Sequence, residues 1–166
     1  MRFHTIGWRV TATVLTALVG VALVPASAGA APRNDQLSGN VGRASGLGFN
    51  GTVISDSDGS HVRGGFKVNL SNGGNVTVDA TCLQATLAFC GRAAGAGGVV
   101  KTSTDPSVPV GAGIIVRAFD SDAPSAQPDS LDLFLGDQAP GPNQCESQLD
   151  PGSPVTKGKI TVKVGF

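Results

Sequence analysis

The sequence predicts an all-β fold, a single antiparallel β-sandwich or closed barrel of about eight short strands. Several short stretches alternate apolar and polar residues, which places one set of side chains on each face of a strand. Turn-forming clusters such as Asp56–Gly59 and Ser71–Gly74 separate these stretches. Glycine, with 24 residues in a chain of 166, is too frequent for stable long helices.

The alternation is clearest in the stretches 66–70, 76–82 and 160–166. Residues 131–135 fit the same pattern less cleanly, and residues 113–119 are apolar enough to be buried on both faces. The predicted strands, in chain order, lie near 40–46, 48–55, 61–71, 75–84, 90–103, 111–120, 129–136 and 157–165. Short strands at this spacing favour a sandwich or a barrel.

The first thirty residues have the three parts of a secretory signal peptide. Arg2 and Arg9 precede an apolar run, Val10–Val24, and a small-residue tail ends at Ala30. The run is shorter than the ~20 apolar residues needed to span a bilayer. The predicted organisation is a cleaved signal peptide at 1–30, a flexible N-terminus at 31–38 and a secreted β-domain at 39–166. We expect an extracellular monomer with no membrane insertion after signal cleavage.

Charge and aromatic content exclude several kinds of partner. Arg2 and Arg9 are two of the twelve Lys and Arg residues, so ten basic and twelve acidic residues remain after cleavage, a net charge of −2. Nucleic acid and anionic membranes are therefore not expected partners. The chain has no Tyr and its single Trp, Trp8, lies in the signal, which removes the usual platforms for stacking sugars or bases. A cell-wall or other extracellular component stays open as a partner.

Six short motifs follow one another along the chain. They are Asp58-Gly59, Thr81-Cys82-Leu83, a stretch from Gly91-Arg92-Ala93 to Gly97-Gly98, Pro128-Asp129, Cys145 and Lys157-Gly158-Lys159-Ile160. In this order they resemble a group of small secreted proteins from actinobacteria. The resemblance implies secretion and a β-fold, and it implies no activity. Extra residues between Leu83 and Gly91, including Cys90, depart from the pattern.

Three cysteines leave the disulfide pairing open. Cys82 ends the alternating stretch 76–82, so we expect its side chain to point into the core with the apolar residues of that stretch. A bond to Cys145 pins a long loop to the sheet, whereas a bond to Cys90 needs a hairpin centred near Thr86, where no Gly or Asn is available. The resemblance implies the pair Cys82–Cys145. Cys90 is then expected to be an unpaired core thiol.

Candidate catalytic and metal-binding residues are few. His61 is the only histidine of the secreted domain, so a small hydrolase must use it as the base. No nucleophile elbow, zinc-protease motif or phosphate-binding glycine loop is present, and we predict that the protein is not an enzyme. Calcium needs only oxygen ligands, and two acidic groups offer them, Asp56 with Asp58 and Asp120 with Asp122. The alternative is that these aspartates are solvated turn residues.

These observations favour a non-catalytic extracellular or cell-surface module, structural or binding, without a cofactor. One alternative is a calcium-dependent binding or adhesion module, and another is a small secreted hydrolase that relies on His61. Because loops on a rigid scaffold carry most binding residues, a binding site is expected on the loops 104–110 or 121–129.

Overall fold

The computed structural model describes residues 34–42, 46–122, 127–136, 145 and 152–165. Nine strands are present in this part of the chain. They are β1 (Asn34–Val41), β2 (Gly48–Asp56), β3 (Arg63–Asn69), β4 (Asn75–Ala88), β5 (Gly91–Ser103), β6 (Gly113–Ser121), β7 (Ser130–Gly136), β8 (Ser153–Pro154) and β9 (Gly158–Lys163). The predicted signal peptide at 1–30 lies outside the described residues. Within the described ranges, no helix has the length and apolar character needed to cross a membrane.

All nine strands belong to one antiparallel sheet in the order β8-β7-β6-β5-β4-β3-β2-β1-β9. Strands β1 to β7 each pair with the next strand in sequence, and β9 returns to pair with β1. The sheet curls into a half-barrel, and its concave face holds the core. The all-β, antiparallel prediction is confirmed. The described strands form a half-barrel, however, in place of the predicted sandwich or closed barrel, because the end strands β8 and β9 do not pair with each other.

In a closed barrel, backbone hydrogen bonds between strands would join the two sides of the sheet. In this half-barrel, hydrogen bonds to side chains connect them. β9 approaches β6, and there the Asp120 carboxylate accepts a hydrogen bond from the Val162 amide at 2.9 Å. Asp129, which lies just before β7, accepts a bond from the Ile160 amide at 3.4 Å. The two carboxylates therefore supply acceptors to amide groups of β9, the kind of buried backbone group that needs a partner.

Two phenylalanine rings pack together in the core. Phe49 is fully buried, and its ring centroid lies 5.6 Å from that of Phe66. Two glycines leave room beside these residues. A Cβ on Gly39 would lie 3.2 Å from the Phe49 ring, and a Cβ on Gly51 would lie 2.6 Å from the Phe66 Cβ and from the Gly65 carbonyl oxygen. Close packing on the concave face thus favours glycine at positions 39 and 51.

β1 begins earlier than the sequence predicted. The first strand was expected at 40–46, but β1 covers Asn34–Val41, so residues 34–38 belong to the sheet and the prediction of a flexible segment there is wrong. The alternation was hard to recognise because Asp35, a carboxylate, occupies one of the buried positions.

Asp35 joins β1 to two other parts of the chain. Its carboxylate accepts hydrogen bonds from the Ala85 amide at 3.2 Å and the Gly165 amide at 2.8 Å. Burial raises the pKa of Asp35 above its usual value, although both amide bonds favour the ionised form and partly oppose this effect. The residue is 2% exposed, and its role is structural.

A β-bulge in β4 places Cys82 on the convex face. Ala80 pairs with Gly98 and Cys82 pairs with Gly97, so the register shifts by one residue between them. Because paired residues share a face and successive residues alternate, Cys82 lies on the face opposite to Ala80. The prediction that Cys82 points into the core with its strand neighbours is therefore wrong. On the convex face it forms a disulfide with Cys145, with 5.9 Å between the Cα atoms, and both residues are buried.

The third cysteine lies in the turn between β4 and β5. β4 continues to Ala88 and pairs it with Gly91, so the turn consists of Phe89 and Cys90 and is not centred near Thr86. Cys90 is a free thiol with intermediate exposure. The prediction that Cys90 lies in the core is therefore wrong. Because β4 and β5 pair as far as Ala88 and Gly91, Cys90 lies at the tip of the hairpin.

Candidate functional site

Loop 104–112 joins β5 to β6 at one end of the half-barrel, in the region of one of the two loops where the sequence placed a binding site. Asp105 organises this loop, and it is only 6% exposed. Its Oδ1 accepts hydrogen bonds from the Ser107 amide at 2.8 Å and the Ser107 hydroxyl at 2.6 Å. Its Oδ2 accepts a bond from the side-chain amide of Asn72, in the turn between β3 and β4. Asp105 therefore ties two loops together.

Backbone hydrogen bonds fix the rest of the loop. The Val108 amide donates to the Asp105 carbonyl at 3.1 Å, and the Val108 side chain is buried in the core. Val100 of β5 donates to the Ala112 carbonyl and accepts from the Gly111 amide, each at 2.9 Å. A loop held in this way pays little conformational entropy when a ligand binds to it.

A cavity of about 400 Å³ lies between this loop and the end of β7. It is lined by Ser107, Val108, Pro109, Val110, Gly111, Ala112, Leu135 and Gly136. Val110 is 67% exposed and Leu135 is 55% exposed, so two large apolar side chains at this cavity face water. A second and more open depression of about 440 Å³ adjoins the same loop at Thr104 and Pro106. Convergent apolar groups around a preformed hollow are typical of small-molecule sites.

The Asp105 network predicts how the loop responds to acid. Hydrogen bonds from the side chain of Asn72 and then from Ser107 hold the pKa of Asp105 below its usual value of 3.8. The ionised group therefore stabilises the fold above the unfolded pKa, and this contribution is lost as the pH falls through the lower folded pKa. We expect Asp105→Asn to lower the free energy of unfolding at about pH 6, and to lower it by less at about pH 2.5.

Urea unfolding followed by far-UV circular dichroism measures this difference. Asn72→Ala removes one of the hydrogen bonds that lower the pKa of Asp105, so we expect it to reduce the pH-dependent part of the difference. An equal difference between the unaltered chain and Asp105→Asn at both pH values would contradict the assignment.

His61 does not form a catalytic relay with its neighbours. Its Nδ1 lies 2.8 Å from Asp56 Oδ2 and 3.1 Å from Ser60 Oγ. A hydrolase relay needs the carboxylate on one ring nitrogen and the nucleophile on the other, whereas here both partners meet the same nitrogen. The His61 side chain is 79% exposed, and its backbone has a positive φ of 49° in the turn between β2 and β3. The three side chains are therefore arranged as a hydrogen-bonded turn.

The four aspartates that the sequence offered as calcium ligands each have a protein partner. These partners are His61 for Asp56, the Ser60 amide for Asp58, the Val162 amide for Asp120 and the Arg92 guanidinium for Asp122. The hydrogen bond with the Ser60 side chain is the main cause that lowers the pKa of Asp58. Within the described ranges, no three His, Cys, Asp or Glu side chains come together as metal ligands.

Sequence reasoning indicated the loop but not the residues that shape the cavity. Asp105 was not singled out, because a single aspartate among Ser, Thr and Pro residues is typical of any turn. The available signal was the apolar content of Pro106–Val110, which is unusual for a loop. Leu135 followed a strand pattern that predicts burial, and its exposure arises only from its position near the end of β7.

No protein-family model, no curated protein and no solved structure matches this chain. The geometry and chemistry of its own residues are therefore the basis for a proposed function.

Proposed function

We propose that this chain is a non-catalytic binding module that acts outside the cell, and that the cavity beside loop 104–112 binds a small ligand that has an apolar part. The observation that carries the proposal is the preformed cavity with two exposed apolar side chains, Val110 and Leu135, at a loop fixed by Asp105. A rigid loop on a sheet scaffold is a frequent place for a binding site.

The lining of the cavity favours a ligand that has an apolar part. Polar and apolar atoms contribute about equally to its exposed surface, and the apolar side chains there include Pro109, Val110, Ala112 and Leu135. Covering the apolar surface contributes about 25 cal/mol for each Å² removed from water. The volume of about 400 Å³ is near the lower end of ligand sites, and it suits a small molecule.

Two further observations support the extracellular and non-catalytic parts of the proposal. The Cys82–Cys145 disulfide is consistent with an oxidising compartment, in agreement with the signal-like first thirty residues. The contact of both Asp56 and Ser60 with one nitrogen of His61 gives no arrangement for proton transfer to a nucleophile.

Titration with the neutral fluorescent probe 1-N-phenylnaphthylamine tests the apolar site. We expect saturable binding to the full chain and roughly tenfold weaker binding for Val110→Asp and for Leu135→Asp, because each variant places a charge at the cavity. Leu87→Asp and Phe89→Asp are matched controls, since these side chains are also exposed but lie at the β4–β5 hairpin. Equal binding by all four variants, or no saturable binding by the unaltered chain, would refute the proposed site.

A further inference from the structure

The sheet also carries a cationic face, which we define as the outward side chains of β9, β1, β2 and β3. Residues that pair directly across these strands line up in rows, because paired residues share a face. One row consists of Lys159, Asn40, Asn50 and Lys67. Another row consists of Lys163, Gln36, Ile54 and Arg63. Each row therefore has a cation at both ends and uncharged side chains between them.

Lys159 and Lys163 on β9, with Lys67 and Arg63 on β3, form the corners of a rectangle. Three strand spacings separate β9 from β3, about 14 Å, and four residues separate the two cations on each strand, about 13 Å. All four cationic side chains are exposed. The result is a broad patch with regularly placed positive charges.

Within the described part of the chain, no salt bridge neutralises the cations of this face. The contacts found there join Arg92 to Asp122, Lys101 to Asp79 and His61 to Asp56, and they do not include Lys159, Lys163, Lys67 or Arg63. The nearest acidic residues in the register are Asp79, which pairs with Lys101 at 2.8 Å, and Asp56, which contacts His61. The face thus has four formal positive charges and, at the end of β2, the single carboxylate of Asp56, in a chain whose total formal charge is zero.

We infer that the cationic face binds an acidic polysaccharide. The four cations attract a polymer that has carboxylates or sulfates along its length. Between them, the amides of Asn40 and Asn50 and a middle row of hydroxyls from Thr161, Ser38 and Thr52 can donate to and accept from sugar hydroxyls. The strands hold these groups in a fixed spacing, which lowers the entropic cost of binding an extended chain.

Other polyanions fit this face less well. Binding to a lipid surface combines attraction between cations and anionic lipids with insertion of apolar or aromatic side chains. Ile54 is the only large apolar side chain among the outward residues of the two rows, so little insertion is available. Single-stranded nucleic acid is bound by stacking on aromatic rings, and these described rows contain none. Duplex DNA is read by an element that enters a groove, whereas this face is a broad sheet surface.

Affinity electrophoresis of the full chain through gels that contain polygalacturonate tests the inference. We expect retardation by polygalacturonate and not by neutral dextran, with the effect largely lost at about 0.5 M salt. The double variants Lys67→Gln/Lys159→Gln and Arg63→Gln/Lys163→Gln should each weaken binding by roughly tenfold. Arg92→Gln/Arg117→Gln removes the same total charge outside the face, and it should bind as the unaltered chain does.

Three outcomes would overturn the inference. They are no retardation by polygalacturonate, an equal loss of binding in Arg92→Gln/Arg117→Gln, or tighter binding to duplex DNA or phosphatidylglycerol vesicles than to polygalacturonate. Asn40→Ala/Asn50→Ala keeps every charge, so weaker binding by this variant supports recognition of the sugar hydroxyls, whereas unchanged binding contradicts it. Val110→Asp should retain polygalacturonate binding, which separates this face from the apolar cavity.

Discussion

Replacing both Cys82 and Cys145 by alanine is expected to lower the free energy of unfolding by about 4 kcal/mol. The disulfide joins residues 63 positions apart, so its loss releases a long loop in the unfolded chain and raises the entropy of that state. Both residues are buried on the convex face, where the bond fixes position 145 to β4. Since the chain has no Tyr and its only Trp lies outside the described residues, unfolding in urea is best followed by far-UV circular dichroism.

Cys90→Ala is the matched control for this experiment. Cys90 is a free thiol in the turn between β4 and β5, so its loss should change the free energy of unfolding by no more than about 0.5 kcal/mol. If Cys90→Ala lowered stability as much as the double variant, or if the double variant unfolded like the unaltered chain, the stabilising role of the disulfide would be refuted.

The strands were predictable where each buried position is apolar. In stretches such as 66–70 and 160–166, every second residue is apolar. These stretches overlap β3 and β9. The prediction failed for the start of β1, where Asp35 is buried and its acceptors serve amides that are distant in sequence. It failed again at Cys82, because a bulge of one residue reverses the face and no local residue type marks it.

Sites that depend on strand order were not predictable from the sequence. Loop 104–110 could be named from its composition, but the contribution of Leu135 to the cavity depends on β7 lying beside β6. The cationic face is a clearer case, since Lys67 and Lys159 are far apart in the chain and become the two ends of one row only through β1 and β2. Net charge is an average over the whole chain, so it gives no information on cations that the fold gathers on one face.

Phe49→Ala is expected to destabilise the protein by about 3–5 kcal/mol, the usual cost of deleting a buried aromatic ring. The Phe49 side chain is completely buried and packs against Phe66 in the concave core, so its removal leaves a cavity that the rigid sheet cannot fill. Phe89→Ala is the matched control, because Phe89 is fully exposed in the β4–β5 turn and should cost no more than about 0.5 kcal/mol. Equal unfolding midpoints for the two variants would contradict the assigned core.

A double-variant cycle tests whether the glycine opposite this ring is there to accommodate it. A Cβ on Gly39 would lie 3.2 Å and 3.3 Å from two atoms of the Phe49 ring, and 3.0 Å from the Lys159 carbonyl oxygen. Gly39→Ala should therefore destabilise the unaltered chain and cost less in the Phe49→Ala background, where the ring contacts no longer exist and only the carbonyl contact remains. If the losses in the free energy of unfolding simply add, the carbonyl contact alone requires glycine at position 39. If the double variant loses less than the sum of the two single variants, β1 has glycine there because β2 places a phenylalanine beside it.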